Sequence, residues 1–239
     1  MASIETYAKP SRLYRYRNLR TYIVNGERRL DPEALDRELR ALEQRYIYCP
    51  KFTDMNDPME GLYRASRALQ ERQDYDEVTQ DVLGQKLSVG IASLSESWNN
   101  ELMWAHYADG FRGLCISYLF ARLLATLPRT CALSRVAYGD RPYYLNLAAM
   151  KRQQRARAIL STKNLNWSYE REWRLFRRGT GRARYGEDVV TCVYLGARMS
   201  DADQAVVRGR LDAVGIAVRE TYVDGYAVKR SSTNMHGEE

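Results

Sequence analysis

Glu170 and Glu172 stand two residues apart in the stretch Ser161-Thr-Lys-Asn-Leu-Asn-Trp-Ser-Tyr-Glu-Arg-Glu-Trp-Arg-Leu-Phe176, among aromatics and arginines. In a strand, residues i and i+2 share a face, so both carboxylates point the same way with Arg174, while Arg171, Trp173 and Leu175 face the other way. Adjacent carboxylates repel, and such a pair is best tolerated with a cation between or opposite them. Cations are at hand. Lys151 to Arg184 holds eleven Lys or Arg against two acids, a local balance of +9 that exceeds the +7 of the whole chain. That is a site-like arrangement.

Three further sets could take part. His106 is the one histidine outside the C-terminal tail, so histidine acid/base chemistry would have to come from it, with Trp104 and Tyr107 on the same aromatic helix. A hydrogen-bonded histidine and packed aromatics in a core fit the same pattern. Ser93 and Ser95 close a strand with both hydroxyls on one face, where they could hold a ligand or cap the next element. Arg15 and Arg17 share a face of the first strand, beside Arg12. That spacing fits a pyrophosphate, and equally a salt bridge to Glu170 or Glu172.

These residues must be positioned by elements that the sequence punctuates clearly. Arg12–Arg17 alternates as a strand. Asp31-Pro32 caps and starts a helix running to about Gln44, and Arg45–Cys49 is a strand ended by Pro50. A charged helix is expected from about Leu62 to Val82, then a buried strand from Leu87 to Ser93. Asn99 or Asn100 caps a short helix that Asp109-Gly110 stops. Gly113–Tyr118 is a strand, Leu119–Leu127 a helix and Ser134–Tyr138 a strand. A long basic helix is expected over Tyr144–Leu160. Val189–Leu195 is a strand, Ser200 caps a helix ending near Gly215, and Ile216–Val228 forms a hairpin turning at Asp224-Gly225. The pattern predicts one α+β domain over 1–239 with short mixed and antiparallel strands, interleaved helices, and flexible tails at 1–11 and 230–239.

Composition narrows the function classes. Arginine outnumbers lysine 31 to 6, and its planar fork suits phosphate or carboxylate, although an arginine-rich genome would give the same count. Cys49, Cys115, Cys131 and Cys192 are far apart among apolar residues, which predicts buried thiols in a reducing compartment rather than a zinc site. No apolar run reaches the ~18 residues of a membrane span, and the N-terminus lacks a signal peptide's apolar core, so a cytoplasmic protein is expected. The glycine-rich dinucleotide and P-loop motifs, the G-x-S-x-G elbow and H-E-x-x-H are all absent. No metal is expected.

Four segments resemble the bacterial family of unknown function DUF2971: Leu13-Tyr-Arg-Tyr16, Lys51-Phe-Thr-Asp-Met-Asn-Asp-Pro-Met-Glu-Gly61, Met103-Trp-Ala-His-Tyr-Ala-Asp-Gly-Phe-Arg-Gly113 and Trp167-Ser-Tyr-Glu-Arg-Glu-Trp-Arg174. Tyr194-Leu-Gly196 agrees, so the likeness runs from about Leu13 to Leu195. The resemblance implies a bacterial protein, in some members set among mobile or defence genes, which suggests a toxin or antiviral effector. The order Arg15 or Arg17, Ser93-Leu-Ser95, Glu170-Arg-Glu172 is also similar to ADP-ribosyltransferases of the arginine–serine–glutamate type. That likeness implies that the arginine holds the NAD pyrophosphate, serine supports the nicotinamide-side ribose, Glu172 steadies an oxocarbenium-like centre, and Trp104 or Tyr107 stacks on nicotinamide. Leu94 replaces the middle threonine of that family's motif, and the gap from Ser95 to Glu170 is longer than its usual spacing.

Three functions therefore compete. The first is an NAD-consuming enzyme that transfers ADP-ribose to a macromolecule or hydrolyses the glycosidic bond. The second is a non-catalytic module binding nucleic acid or nucleotide through Lys151–Arg157 and Arg171–Arg184. The third is a metal-dependent nuclease built from Asp57, Glu60, Glu170 and Glu172.

Overall fold

The structure is a computed structural model describing residues 9–24, 26–147 and 151–231. Its fold is α+β, with short mixed and antiparallel strands and interleaved helices. Most of both expected tails lies outside the described residues. The chain forms two compact units from interleaved segments, one from 47–94 and 127–184, the other from 9–46, 95–126 and 185–239.

In the first unit the strand Glu172–Arg178 lies between Val89–Ser95 and Cys131–Arg135, and runs antiparallel to the latter with Trp173 opposite Arg135 and Phe176 opposite Ala132. Two short parallel pairs flank it, Tyr63–Ala65 with Tyr143–Leu145 and Ala137–Gly139 with Thr162–Asn164. Helices Tyr75–Leu87 and Arg152–Ile159 cover an apolar cluster of Leu69, Val82, Leu145 and Ile159. A second cluster, Ile91, Leu160 and Phe176, receives Phe52, Met55 and Val89.

In the second unit one run of paired strands has the order Ala227–Arg230, Ala217–Asp224, Val190–Leu195, Leu114–Leu119, Arg12–Arg17, and Thr21–Val24 pairs separately with Glu27–Leu30. Val190–Leu195 pairs in parallel with Ala217–Asp224, and the other pairs are antiparallel. The capped helices form where the sequence marks them. Asp31 Oδ1 accepts from the backbone N–H groups of Glu33 and Ala34 ahead of Pro32–Glu43, and Ser200 Oγ accepts from that of Asp203 ahead of Asp201–Asp212.

Three expectations need correction. The helix expected over Leu62–Val82 is a strand, Tyr63–Ala65, a short helix, Arg67–Gln70, started by the Ser66 cap, and the helix Tyr75–Leu87. The helix expected from Tyr144 begins only at Arg152, because Tyr143–Leu145 is extended and pairs with Tyr63–Ala65. In both places a partner far along the chain overrides local helix propensity. Glu170 ends a 3₁₀ helix, Leu165–Glu170, rather than lying in a strand. Among the described residues no helix is long and apolar enough to cross a membrane.

Candidate functional site

The site is built within the first unit from the strand Glu172–Arg178, which is buried on both faces and places Glu172 and Arg174 on the same one. Just before it, Asn164 Oδ1 accepts from the Asn166 N–H and caps the 3₁₀ helix that ends at Glu170. Arg171 then takes a left-handed conformation, φ 46°, and is exposed. That single residue turns the chain so that the side chains of Glu170 and Glu172 are both buried. The expected convergence of the two carboxylates is present, achieved by a left-handed turn rather than by strand alternation.

Arg174 is the fully buried centre of the cluster. Its Nε and Nη2 donate to the two carboxylate oxygens of Glu172, each at 3.0 Å, and Nη1 and Nη2 donate to the two of Glu60, the Nη1 bond at 2.7 Å. Nη1 also donates to the Leu160 carbonyl. Lys163 is buried as well. Its Nζ donates to Glu170 Oε2 at 2.7 Å, stands 3.7 Å from Glu172 Oε2 and 4.0 Å from Glu60 Oε1, and lies 4.6 Å from the Trp167 ring centre. The strand Thr162–Asn164 sets it opposite Tyr138, whose hydroxyl accepts from the Glu172 N–H at 2.8 Å. The Ser93 hydroxyl hydrogen-bonds the Glu172 carboxylate.

Glu60 reaches the cluster from a turn that its neighbours hold. Asp57 Oδ1 accepts from the Met59 N–H, and Lys86, seated between the Phe52 and Tyr63 rings, donates Nζ to the Gly61 carbonyl at 3.1 Å. Gly61 has φ 72°, a conformation that favours glycine, and a β-carbon there would lie 3.2 Å from Leu160 Cδ2, which would have to give by a few tenths of an ångström.

Three carboxylates and two cations thus share one buried place. Burial pushes the Glu172 carboxyl up, but the Arg174 guanidinium, the Lys163 ammonium and the hydrogen bonds from Arg174 and Ser93 outweigh it and hold it below the ordinary glutamate value. Burial raises the Tyr138 hydroxyl, which stays protonated. A cavity of about 70 Å³ opens beside the cluster, and Glu60 and Lys163 belong to both. Asp57, Asp140, Arg141 and Asn164 also line it. The space among Glu60, Glu170 and Glu172, where a nuclease of the expected kind would place its metal, holds the Lys163 ammonium.

The other expected site residues lie in the second unit. Arg17 is paired with buried Glu38 through Nε to Oε2 at 2.8 Å and Nη2 to Oε1, and neighbouring Arg15 acts on the same carboxylate. Ser95 Oγ accepts from the Ser97 N–H, which makes it a turn cap. Trp104 is a core residue whose Nε1 donates to the Trp98 carbonyl at 2.7 Å, edge-on to Tyr16 and stacked near Phe111. His106 is exposed beside Tyr107, their ring centres 6.3 Å apart. Sequence reasoning put Arg174 on the face of the two carboxylates without counting it among the site residues, passed over Lys163, and placed Glu60 only in the nuclease alternative. The signal available was the need of a buried carboxylate pair for a cation, with Lys163 seven residues before Glu170.

A family model described as "Protein of unknown function (DUF2971)" matches residues 103–175. That stretch contains the Met103–Gly113 and Trp167–Arg174 motifs, so the resemblance read in them holds there, and it includes Lys163, Glu170, Glu172 and Arg174. No curated protein and no solved structure matches the chain.

Proposed function

We propose that the protein consumes NAD or a related nucleotide, breaking the bond between nicotinamide and ribose and passing the ADP-ribose to a macromolecule or to water. The observation that carries this reading is the buried cluster of three carboxylates, Glu60, Glu170 and Glu172, beside a cavity. When the C1′–N bond breaks, its electron pair leaves with nicotinamide and positive charge develops on the ribose. Fixed carboxylates in dry surroundings favour that charge far more than water does. Glu172, kept ionised by Arg174, supplies the field, and Glu60 presents a carboxylate at the cavity wall. The incoming oxygen or nitrogen nucleophile forms its bond to C1′ and loses its proton to Glu60, the cluster carboxylate at the cavity wall, which returns it to solvent.

Lys163, shared by cluster and cavity, and Arg141 at the cavity wall are the cations that the diphosphate would meet. The Arg17 fork is occupied by Glu38. Buried free thiols at all four cysteines fit a reducing cytoplasm. The test is to incubate purified protein with NAD, with and without cell extract as a source of acceptors, and to follow free nicotinamide chromatographically. Nicotinamide accumulating in proportion to protein is expected. None with either NAD alone or added acceptors would refute the reading.

A further inference from the structure

The second unit gathers arginines on one face of its paired strands. Alternation along Arg12–Arg17 puts Arg12 and Tyr14 on the same side, and the register carries that side onward: Tyr14 opposite Ser117, Ser117 opposite Cys192, Tyr194 beside Arg219, and Thr221 opposite Arg230. Arg12, Arg219 and Arg230 therefore share one face. Tyr14, Ser117, Cys192 and Tyr194 form its buried floor, Arg12 and Arg219 are half-buried, and Arg230 is exposed. The side chains also converge. Arg12 Nη1 donates to Ser117 Oγ at 3.2 Å and to Thr191 Oγ1. Arg230 Nη1 donates to the Tyr194 hydroxyl at 3.4 Å, and its guanidinium carbon lies 5.8 Å from the ring centre of Trp98, which stacks on Tyr194 at 4.9 Å. Burial pushes the Cys192 thiol up, and Arg219, Arg230 and Arg12 all pull against it, so the three charges lie within electrostatic reach of one point.

Among the described residues no carboxylate pairs with any of the three. Glu220, next to Arg219, points to the opposite face and pairs with Arg208 of the helix Asp201–Asp212, and Asp224 pairs with Lys229. Arg17, on the opposite face of the first strand, has Glu38. Three like charges brought together, two of them half out of water, repel unless an anion sits among them. Guanidinium forks with hydroxyl donors beside them are the groups that hold phosphate oxygens. Two strands separate that of Arg12 from that of Arg219, which sets their backbones roughly 14 Å apart at the usual strand spacing. Arginines reaching inward from both sides of such a span suit a chain of phosphates better than a single one.

We infer that this face binds a small ligand through a chain of two or more phosphates, with Arg219 and Arg230 at one end and Arg12, beside the Ser117 and Thr191 hydroxyls, at the other. The inference does not rest on the proposed function, and no residue of this face lines the Lys163 cavity.

The test is isothermal titration of the full chain with pyrophosphate, with orthophosphate and a single-stranded oligonucleotide titrated in parallel. Pyrophosphate should bind, and more tightly than orthophosphate. Arg219→Ala and Arg230→Ala should each weaken it about tenfold or more, the scale of one lost hydrogen bond to a charged group. Without ligand, the thermal midpoint of Arg219→Ala should equal or exceed that of the wild type, because a cation without a partner has been removed. Its loss of binding is then not a loss of fold. Pyrophosphate that does not bind, that binds no better than orthophosphate, or that binds both variants as it does the wild type would overturn the inference. An oligonucleotide that binds through these two arginines where pyrophosphate does not would overturn it in favour of nucleic acid.

Discussion

Arg174 holds Glu60 through two parallel hydrogen bonds although 114 residues separate them in the chain. The same guanidinium grips Glu172, two residues away, through a second pair. One planar cation thus ties the Asp57–Glu60 turn to the central strand of its unit. Lysine cannot reproduce two forks, and breaking a buried pair leaves charge without a partner. Arg174→Lys should lower the thermal midpoint clearly, and Arg174→Ala or Glu60→Ala should cost about 3–5 kcal/mol in urea unfolding. Variants indistinguishable from the wild type would show that the forks do not hold in solution.

Acid should loosen the protein through two carboxylates. Glu172 and Glu38 are both buried, which alone would raise them, yet their arginine partners bring each below the ordinary value of 4.5. A depressed carboxyl contributes stability that is complete above its unfolded value and is lost as pH falls through the lower folded value. The thermal midpoint should therefore hold from neutrality to about pH 4.5 and fall below it. Glu172→Gln, which cannot ionise at that position, should show a shallower fall than the wild type. Parallel curves would mean that Glu172 is not held ionised.

The left-handed turn at Arg171 supplies a third expectation. Glycine adopts φ near 46° without steric cost, whereas a β-branched residue there costs of order 1–2 kcal/mol. Arg171→Gly should stay within about 1 kcal/mol of the wild type, because relief of strain opposes the greater freedom of the unfolded chain. Arg171→Val should be less stable, with a matching loss of nicotinamide release as Glu170 and Glu172 lose register. Urea midpoints for the pair decide it.

Gly90 sits on the strand that carries Ser93 toward Glu172. A β-carbon at this position would lie 2.5 Å from the Cys49 carbonyl oxygen and 2.9 Å from that of Gly179, both backbone atoms that cannot step aside. Gly90→Ala should destabilise by about 1–3 kcal/mol, the usual cost of overpacking, where a neutral or stabilising effect would show that the strands are further apart.

How much of this was legible in the sequence differs from residue to residue. Caps such as Asp31 and Ser200 act within three residues, so their helices could be placed closely. The pairing of Tyr63–Ala65 with Tyr143–Leu145 bridges some eighty residues and leaves no local trace, which is why both flanking segments read as helix. At the site, the pattern Glu170-Arg-Glu172-Trp-Arg174 announced converging carboxylates with a cation. It did not disclose that Arg174 also grips Glu60, since that contact exists only once the chain has closed on itself. The bland reading of Ser95 as a cap and of Trp104 as core agrees with their hydrogen bonds.

In the proposed reaction the charge at Glu172 drives cleavage of the nicotinamide–ribose bond. Initial rates of nicotinamide release from NAD should be compared for the wild type and Glu172→Gln, each first shown to be folded by circular dichroism at the assay temperature. A loss of about 10²-fold or more in the folded variant is predicted, the scale expected when one preorganised electrostatic partner is removed. Equal rates in the two proteins would contradict the account.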